Sequence, residues 1–205
     1  MSVSAEFVPD YDNRCWACLM NPLTLNAQIY CPADNRCYNS TNDTCSVNFA
    51  YNPYDCLKLP ALVSTICNQL QFTASGAGAK QLFTRYTYTN LVVENDKGCQ
   101  FQVSGTGSWL QINYTEPVQV YINAYYKTQF TSKQLYKSGE NLTIGKDLDT
   151  FLSEDVADKY YIGIVNPTAS TVGTITAIMY QAAVINQLSK IVMLISSLGY
   201  VIWSL

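Results

Sequence analysis

The residues with the most definite chemistry are the cysteines, which number eight in a chain of 205 residues and crowd into its first half. An even set at this density, separated by turn-forming Asn, Asp and Pro residues, is typical of a disulfide-bonded module in an oxidising compartment. A small module needs such bridges because it cannot bury enough apolar surface to be stable without them. The residues predicted to form disulfides are Cys15, Cys18, Cys31, Cys37, Cys45, Cys56, Cys67 and Cys99.

Zinc coordination is the alternative use of these thiols. Cys15 and Cys18 have the C-x2-C spacing of half a zinc site. The sequence has no histidine and no second C-x2-C, so a zinc site would need four irregularly spaced thiolates. A redox role for the C-x2-C lacks the strand and helix pattern that such a motif requires. Disulfides are therefore the preferred interpretation, and the spacing leaves their pairing open.

Asparagine and aspartate side chains supply the other candidate sites. A loop with the only cluster of carboxylates contains Asp147 and Asp149, whose hard oxygen atoms make them calcium candidates. No EF-hand spacing is present, so a solvated acidic loop is preferred and no metal site is predicted. Four asparagines lie in N-x-S/T sequons at positions where a glycan would not disturb a core. These predicted glycosylation sites are Asn39, Asn42, Asn113 and Asn141.

Charge and composition exclude several classes of function. The net charge is −3 and the chain has no cluster of Lys or Arg, so a nucleic-acid partner is not expected. The absence of histidine removes Ser-His-Asp and Cys-His catalysis, and no other nucleophile has a base beside it. The chain is therefore predicted to be neither an enzyme nor the carrier of a cofactor.

The last stretch, residues 191–205, contains no charged side chain and predicts a hydrophobic helix that anchors the chain in a membrane. A spanning helix needs about 20 apolar residues, so the anchor is placed at residues 182–205, with Lys190 at the edge of the membrane or against a partner helix. Two alternatives are a cleaved signal for a lipid anchor and a segment buried in the protein core, as a C-terminal helix or a strand-like plug. No signal peptide is apparent at the first residues.

A change of hydrophobic period divides the rest of the chain. Residues 1–68 form the predicted cysteine-rich module, in which apolar residues after Pro60 have helical spacing. Beyond a glycine-rich linker at residues 76–78, apolar residues alternate with polar ones. The clearest strand is 118–126, predicted to have one buried face and one in water. Shorter strands are predicted at 82–93, 100–104, 110–114, 160–165 and 174–180, the last two as a hairpin, and together they indicate an antiparallel β-sandwich, jelly-roll-like, over residues 69–181.

Two resemblances add to this reading. Cys15-Trp-Ala-Cys18-Leu19, followed by Tyr30-Cys31 to Cys37-Tyr38 and then Cys45, resembles the plexin–semaphorin–integrin (PSI) cysteine module. That family usually has a Trp-Cys pair where this chain has Tyr30-Cys31, so one family bridge would be missing or rerouted. The resemblance implies a rigid extracellular wedge that orients neighbouring domains.

The hairpin at residues 159–177 is similar to the closing strands of bacterial pre-peptidase C-terminal β-sandwich domains. In that family an acidic pair, which can help to hold calcium, precedes an earlier strand. Here the corresponding position has Glu116-Pro117, so the resemblance implies the fold and leaves calcium in doubt.

The combined prediction is a mainly β protein with a small disulfide-rich module, a β-sandwich and a C-terminal hydrophobic helix. It is expected to be a membrane-anchored extracellular glycoprotein at the cell surface, acting in adhesion, recognition or surface-coat structure. Its expected partners are membrane lipid, through the tail, and a protein or glycan. The alternative is an accessory subunit of a membrane complex facing an oxidising space, such as the intermembrane space at the mitochondrial inner membrane. A third interpretation is that the chain is a subunit of an extracellular filament.

Overall fold

Strands dominate the part of the chain that the structure describes, as the sequence predicts. The computed structural model describes residues 11–20, 28–39, 45, 49–70, 83–104, 109–123, 128, 130, 134–143 and 159–182. Within these ranges, no helix has the length and apolar character that a membrane span requires. The linker at residues 76–78 lies outside the described residues, and so does the predicted anchor at residues 182–205 apart from Ala182, which ends a strand.

The predicted strands of the sandwich are all found, with boundaries shifted by a few residues. Their alternating apolar side chains point to one face of each strand, which is what buries them between two sheets. The predicted strands are β3 (Phe83–Val93), β4 (Lys97–Ser104), β5 (Trp109–Tyr114), β6 (Gln119–Asn123), β9 (Lys159–Asn166) and β10 (Gly173–Ala182). Two short strands that the sequence pattern did not predict, β7 (Leu135–Tyr136) and β8 (Asn141–Thr143), lie between β6 and β9 in the chain.

These strands form two antiparallel sheets that pack face to face. The first sheet has the order β3-β10-β5-β8, and the second has the order β4-β9-β6-β7. Strands that follow one another in the chain therefore lie, with the exception of β6 and β7, in opposite sheets. This is the strand arrangement of a jelly roll.

The prediction that the last two strands form a hairpin is wrong, because β9 and β10 lie in different sheets. Ile162 on β9 and Ile175 on β10 are both buried in the same core, so each strand contributes its apolar face from its own side. The connection between them crosses the end of the sandwich. There the buried amide of Asn166 holds it by donating to the carbonyl oxygen of Thr171 at 2.8 Å.

The cysteine-rich region consists of short elements. Helix α1 (Cys15–Leu19) is followed by the hairpin strands β1 (Ile29–Cys31) and β2 (Arg36–Tyr38). Two 3₁₀ turns, Pro53–Lys58 and Pro60–Leu62, lead to helix α2 (Ile66–Gln69).

The single helix predicted after Pro60 is interrupted. Val63 leaves the helical path to form a parallel bridge with Gly98 of β4, and the Ser64 amide donates to the Gly98 carbonyl oxygen at 2.9 Å. The gain of sheet pairing with β4 explains why α2 begins only at Ile66. Helix α2 then packs its apolar side against β3 and β4, so it closes an edge of the sandwich.

The core between the sheets is aliphatic, with two buried tyrosines. It consists of Val93, Cys99, Val103, Leu110, Ile112, Val118, Val120, Tyr136, Leu142, Tyr160, Ile162, Ile164, Ile175, Ala177 and Met179, joined by Ile66, Cys67 and Leu70 from α2 and its end. The predicted division at residues 68 and 69 falls within α2 and stays a prediction.

The strand predicted at residues 118–126 contains a further correction. Val120 is buried in the core as predicted, but the opposite face of β6 is not in water, because Tyr121 and Asn123 are only 5% and 6% exposed. Phe130 packs edge-on against Tyr121, with 5.4 Å between ring centroids. The cysteine-rich region covers the same outer face of the second sheet. The alternation of apolar and polar residues indicates that this strand has one apolar and one polar face. It does not indicate that another part of the chain covers the polar face.

Two glycines in the second sheet allow this close covering. A Cβ atom at Gly98 would lie 2.6 Å from Cζ2 of Trp16, and one at Gly163 would lie 2.5 Å from Cε1 of Phe130. Trp16 and Phe130 also contact each other edge-to-face at 5.0 Å. The described residues therefore form three layers: the first sheet, the second sheet and the cysteine-rich region.

Candidate functional site

Because the second sheet is covered, the outer face of the first sheet is the broad strand surface that stays accessible within the residues that the structure describes. Its side chains are exposed or half-buried and mostly carry hydroxyl or amide groups, so it is polar with little charge. They are Arg85, Thr87 and Val92 from β3, Thr174, Thr176, Ile178 and Tyr180 from β10, Trp109, Gln111 and Asn113 from β5, and Asn141 from β8. We call this surface the open face.

A row of stacked side chains crosses one end of the open face. Trp109 and Tyr180 are opposite each other in the β5–β10 register, and their rings stack with centroids 4.3 Å apart and planes at 20°. Arg85, opposite Tyr180 on β3, places its guanidinium carbon 5.6 Å from the Tyr180 ring centroid. Cross-strand aromatic and cation–π pairs of this kind each stabilise a sheet by about 0.5–1 kcal/mol.

Two of the four predicted glycosylation sites lie on the open face. Asn113 on β5 and Asn141 on β8 are both exposed, and they lie on neighbouring strands because Gln111 pairs with Asn141. Asn39 is half-buried in the cysteine-rich region, where its side-chain oxygen accepts a long hydrogen bond from Gln28 at 3.5 Å. The remaining predicted sites, Asn42, Asp147 and Asp149, lie outside the described residues.

The turn between β7 and β8 positions these two asparagines. Gly139 has a φ of +84°, a conformation that favours glycine, and its carbonyl oxygen accepts from the Gln111 side chain at 2.8 Å. The hydroxyl of Tyr136 accepts from the Ile112 amide at 3.1 Å and donates to the carbonyl oxygen of Glu140. Burial raises the pKa of Tyr136, so the hydroxyl stays protonated and keeps both bonds at neutral pH. This turn fixes Asn141 beside Asn113.

All eight cysteines lie in described positions and all form disulfides, which confirms the prediction of disulfide bonding. The bridges close loops with sequence separations of 14 to 41 residues. No free thiol is left to bind zinc, and no group of three acidic or cysteine side chains in the described ranges is arranged to hold a metal ion. The pairs are Cys15–Cys56, Cys18–Cys37, Cys31–Cys45 and Cys67–Cys99.

The cysteine-rich region also has a groove of about 610 Å³ between residues 49–51 and the first 3₁₀ turn. Phe49 and Tyr51 form an aromatic wall, with Tyr51 58% exposed. At its rim, Lys58 Nζ is 2.6 Å from a carboxylate oxygen of Asp55. Burial tends to raise the pKa of Asp55, but hydrogen bonds from Lys58 and from the amides of Tyr51 and Asn52 outweigh burial and lower it. Asp55 is therefore ionised and fixed at neutral pH.

The sequence gives little sign of this groove. Phe49 and Tyr51 lie between Cys45 and Cys56, where spacing alone does not show which aromatic residues are exposed. Asp96 is a second functional candidate that sequence reasoning missed, since Asp in a turn is ordinary. Its burial is visible only in the structure.

No known protein family matches the chain, and neither a characterised protein nor a solved structure is detectably similar to it. The resemblances to the PSI module and to pre-peptidase C-terminal domains therefore stay predictions.

Proposed function

We propose that the chain is a membrane-anchored extracellular glycoprotein that acts in adhesion, recognition or surface-coat structure. The observation that carries the proposal is the placement of two sequon asparagines on the open face, while the opposite sheet is covered by a disulfide-bonded region. Four disulfides also favour an oxidising, extracellular type of compartment.

The fold and the surface agree with a binding or coat function. Jelly rolls occur in lectin and coat-protein domains, an analogy of fold that gives no ligand by itself. The aromatic groove at Phe49 and Tyr51 is the surface we assign to a protein or glycan partner, because an exposed aromatic side chain such as Tyr51 in a concave site is a typical contact residue. Membrane attachment is assigned to the apolar tail at residues 182–205.

We expect Asn113 and Asn141 to carry glycans when the full chain is made in a eukaryotic secretory pathway. Both amides are exposed, so a glycan would project into solvent from the folded sheet. The measurement is intact mass before and after treatment with an N-glycosidase. The single substitutions Asn113→Gln and Asn141→Gln should each reduce the intact mass by the mass of one glycan.

The control for Asn113 is Thr115→Ser, which keeps the sequon. In the wild-type chain the Thr174 amide donates to the Thr115 hydroxyl oxygen at 2.9 Å, and a serine hydroxyl can accept the same hydrogen bond. The substitution should leave the glycan in place. A chain that stays in the membrane and carries no sugar at any sequon would contradict the glycoprotein proposal. That result would favour the accessory subunit of a membrane complex.

A further inference from the structure

A buried carboxylate lies where the cysteine-rich region meets the sandwich. Asp96 is in the turn between β3 and β4, is only 7% exposed and has a φ of +46°. Its amide donates to the carbonyl oxygen of Thr168 at 2.9 Å, and the neighbouring Asn95 side chain donates to that of Ala169 at 3.0 Å. The turn is thus attached to the β9–β10 connection, and its backbone holds the carboxylate in a fixed place.

The carboxylate reaches the first turn of α1 in the cysteine-rich region. One oxygen of Asp96 accepts from the Ala17 amide at 3.3 Å. Arg14, at the N-cap, makes no side-chain capping bond to the helix, so Asp96 supplies an acceptor that α1 lacks locally. The other oxygen, Oδ2, is buried and has no hydrogen-bond partner in the described structure. Burying an ionised carboxylate in this way costs free energy, and burying the protonated acid costs much less.

Among the described residues, Arg14 is the charged group that acts on Asp96 most strongly. The positive charge of Arg14, whose Nη2 donates to the carbonyl oxygen of Pro167 at 3.0 Å, favours its ionised form. Tyr30 faces it from β1, and burial together with the charges of Asp96, Asp34 and Asp12 raises the pKa of Tyr30 to about 12. Tyr30 is therefore neutral below that pH. The β9–β10 connection, residues 167–172, contains no titratable side chain.

Burial is the largest influence on Asp96 and raises its pKa from 3.8 to about 7, against the opposing effects of the Ala17 amide, the charge of Arg14 and the backbone amides of Trp16 and Cys15 in the first turn of α1. Folding therefore favours the protonated acid. The contribution of the protonated Asp96 to folding stability is fully present below the pKa of this group in the unfolded chain. It is lost as the pH rises through about 7.

We propose that Asp96 makes the junction between α1 and the sandwich a pH-responsive contact, firm when the carboxyl is protonated and loosened when it is ionised. The pH interval over which this carboxyl ionises includes the change from an acidic lumen to a neutral cell exterior. The orientation of the cysteine-rich region would therefore respond to that change of pH. This property is independent of the proposed function and of any ligand.

The test compares urea unfolding of the full chain between pH 5 and pH 8 for wild type and Asp96→Asn. The asparagine keeps the shape and the acceptor oxygen but stays neutral. We expect the folding equilibrium constant of wild type to fall at least tenfold more than that of the variant over this range. A matched control, Glu140→Gln, removes a carboxylate from an exposed position and should follow wild type. Equal pH dependence of wild type and Asp96→Asn would overturn the proposal.

A second measurement decides the matter if Asp96→Asn does not fold. In a Trp109→Phe, Trp203→Phe background, Trp16 is the remaining tryptophan, and it lies against Gly98, two residues from Asp96. We expect its emission to titrate with a midpoint near the raised pKa. Emission that stays constant between pH 5 and pH 8.5 would refute a pH-responsive junction.

Discussion

At the scale of single residues, the contact between the cysteine-rich region and the sandwich depends on a missing side chain. Trp16 is fully buried, and its indole NH donates to the Leu62 carbonyl oxygen at 3.2 Å. The ring fits against β4 only because Gly98 has no Cβ. Here glycine is required for close approach, since the φ of this residue is ordinary for a strand.

We expect Gly98→Ala to destabilise the protein by about 1–3 kcal/mol, because the new methyl group would overlap the ring of Trp16, which is fully buried. Urea unfolding at a single pH gives the change in the free energy of unfolding. The same substitution in a Trp16→Leu background is the control, and there it should cost clearly less. An equal cost in both backgrounds would show that the indole is not the group that excludes the methyl.

At the scale of elements, α2 joins the two parts of the molecule. Its residues Ile66 and Cys67 are buried in the sandwich core, and Cys67 is bonded to Cys99 on β4. This bridge therefore connects the end of the cysteine-rich sequence to the second sheet. By contrast, Cys31–Cys45 closes a loop within the cysteine-rich region.

We expect the double replacement Cys67→Ala, Cys99→Ala to cost about 2–4 kcal/mol of stability. The sequence separation is 32 residues here and 14 for Cys31–Cys45. On loop entropy alone, losing the longer bridge should cost about 0.7 kcal/mol more. Chemical unfolding of both double variants, with secretion yield as a second readout, gives the comparison. A larger loss for Cys31→Ala, Cys45→Ala would mean that strain or packing, and not loop length, sets the order.

At the scale of the whole molecule, the three layers share buried surfaces. The cluster around Trp16 includes Tyr121, Phe130 and Val165, which belong to the sandwich or to the segment that covers it. Helix α2 adds a second contact on the side of β3 and β4. The sequence predicts two modules, 1–68 and 69–181, separable near residues 76–78. The contacts between the layers predict that the two parts will stay associated when the chain is cut there.

We expect the chain to stay associated after a protease site placed at residues 76–78 is cut, even with the Cys67–Cys99 bridge removed. Burial of Trp16 and of α2 would hold the two fragments together, as burying one large apolar side chain stabilises by about 1.5–3 kcal/mol. Size-exclusion chromatography of the cut Cys67→Ala, Cys99→Ala protein should show one peak. The uncut double variant is the control, and two separate folded peaks would instead establish independent modules.

Much of the fold was predictable from local patterns. Strand positions follow from the alternation of apolar residues, and turns such as Ser138-Gly139 follow from residue type, because both depend on neighbours in the sequence. The even cysteine count and the dense spacing predicted oxidation but not the pairing, since many connectivities satisfy the same spacing. The sequence also predicted that the Asn113 sequon lies where a glycan would not disturb a core, and Asn113 is exposed.

Features set by distant parts of the chain were not predictable in this way. The alternation in β6 placed Tyr121 in water, and the structure buries it because Phe130 and the cysteine-rich region cover that face. Asp96 is an ordinary turn residue in the sequence, and its burial arises because α1 and the β9–β10 connection both pack against the turn. The sequence by itself determined which residues alternate, turn and oxidise, since those depend on residue type and spacing. Only the tertiary structure decided which faces stay open and which charges are buried, because burial depends on what packs against a residue from elsewhere in the chain.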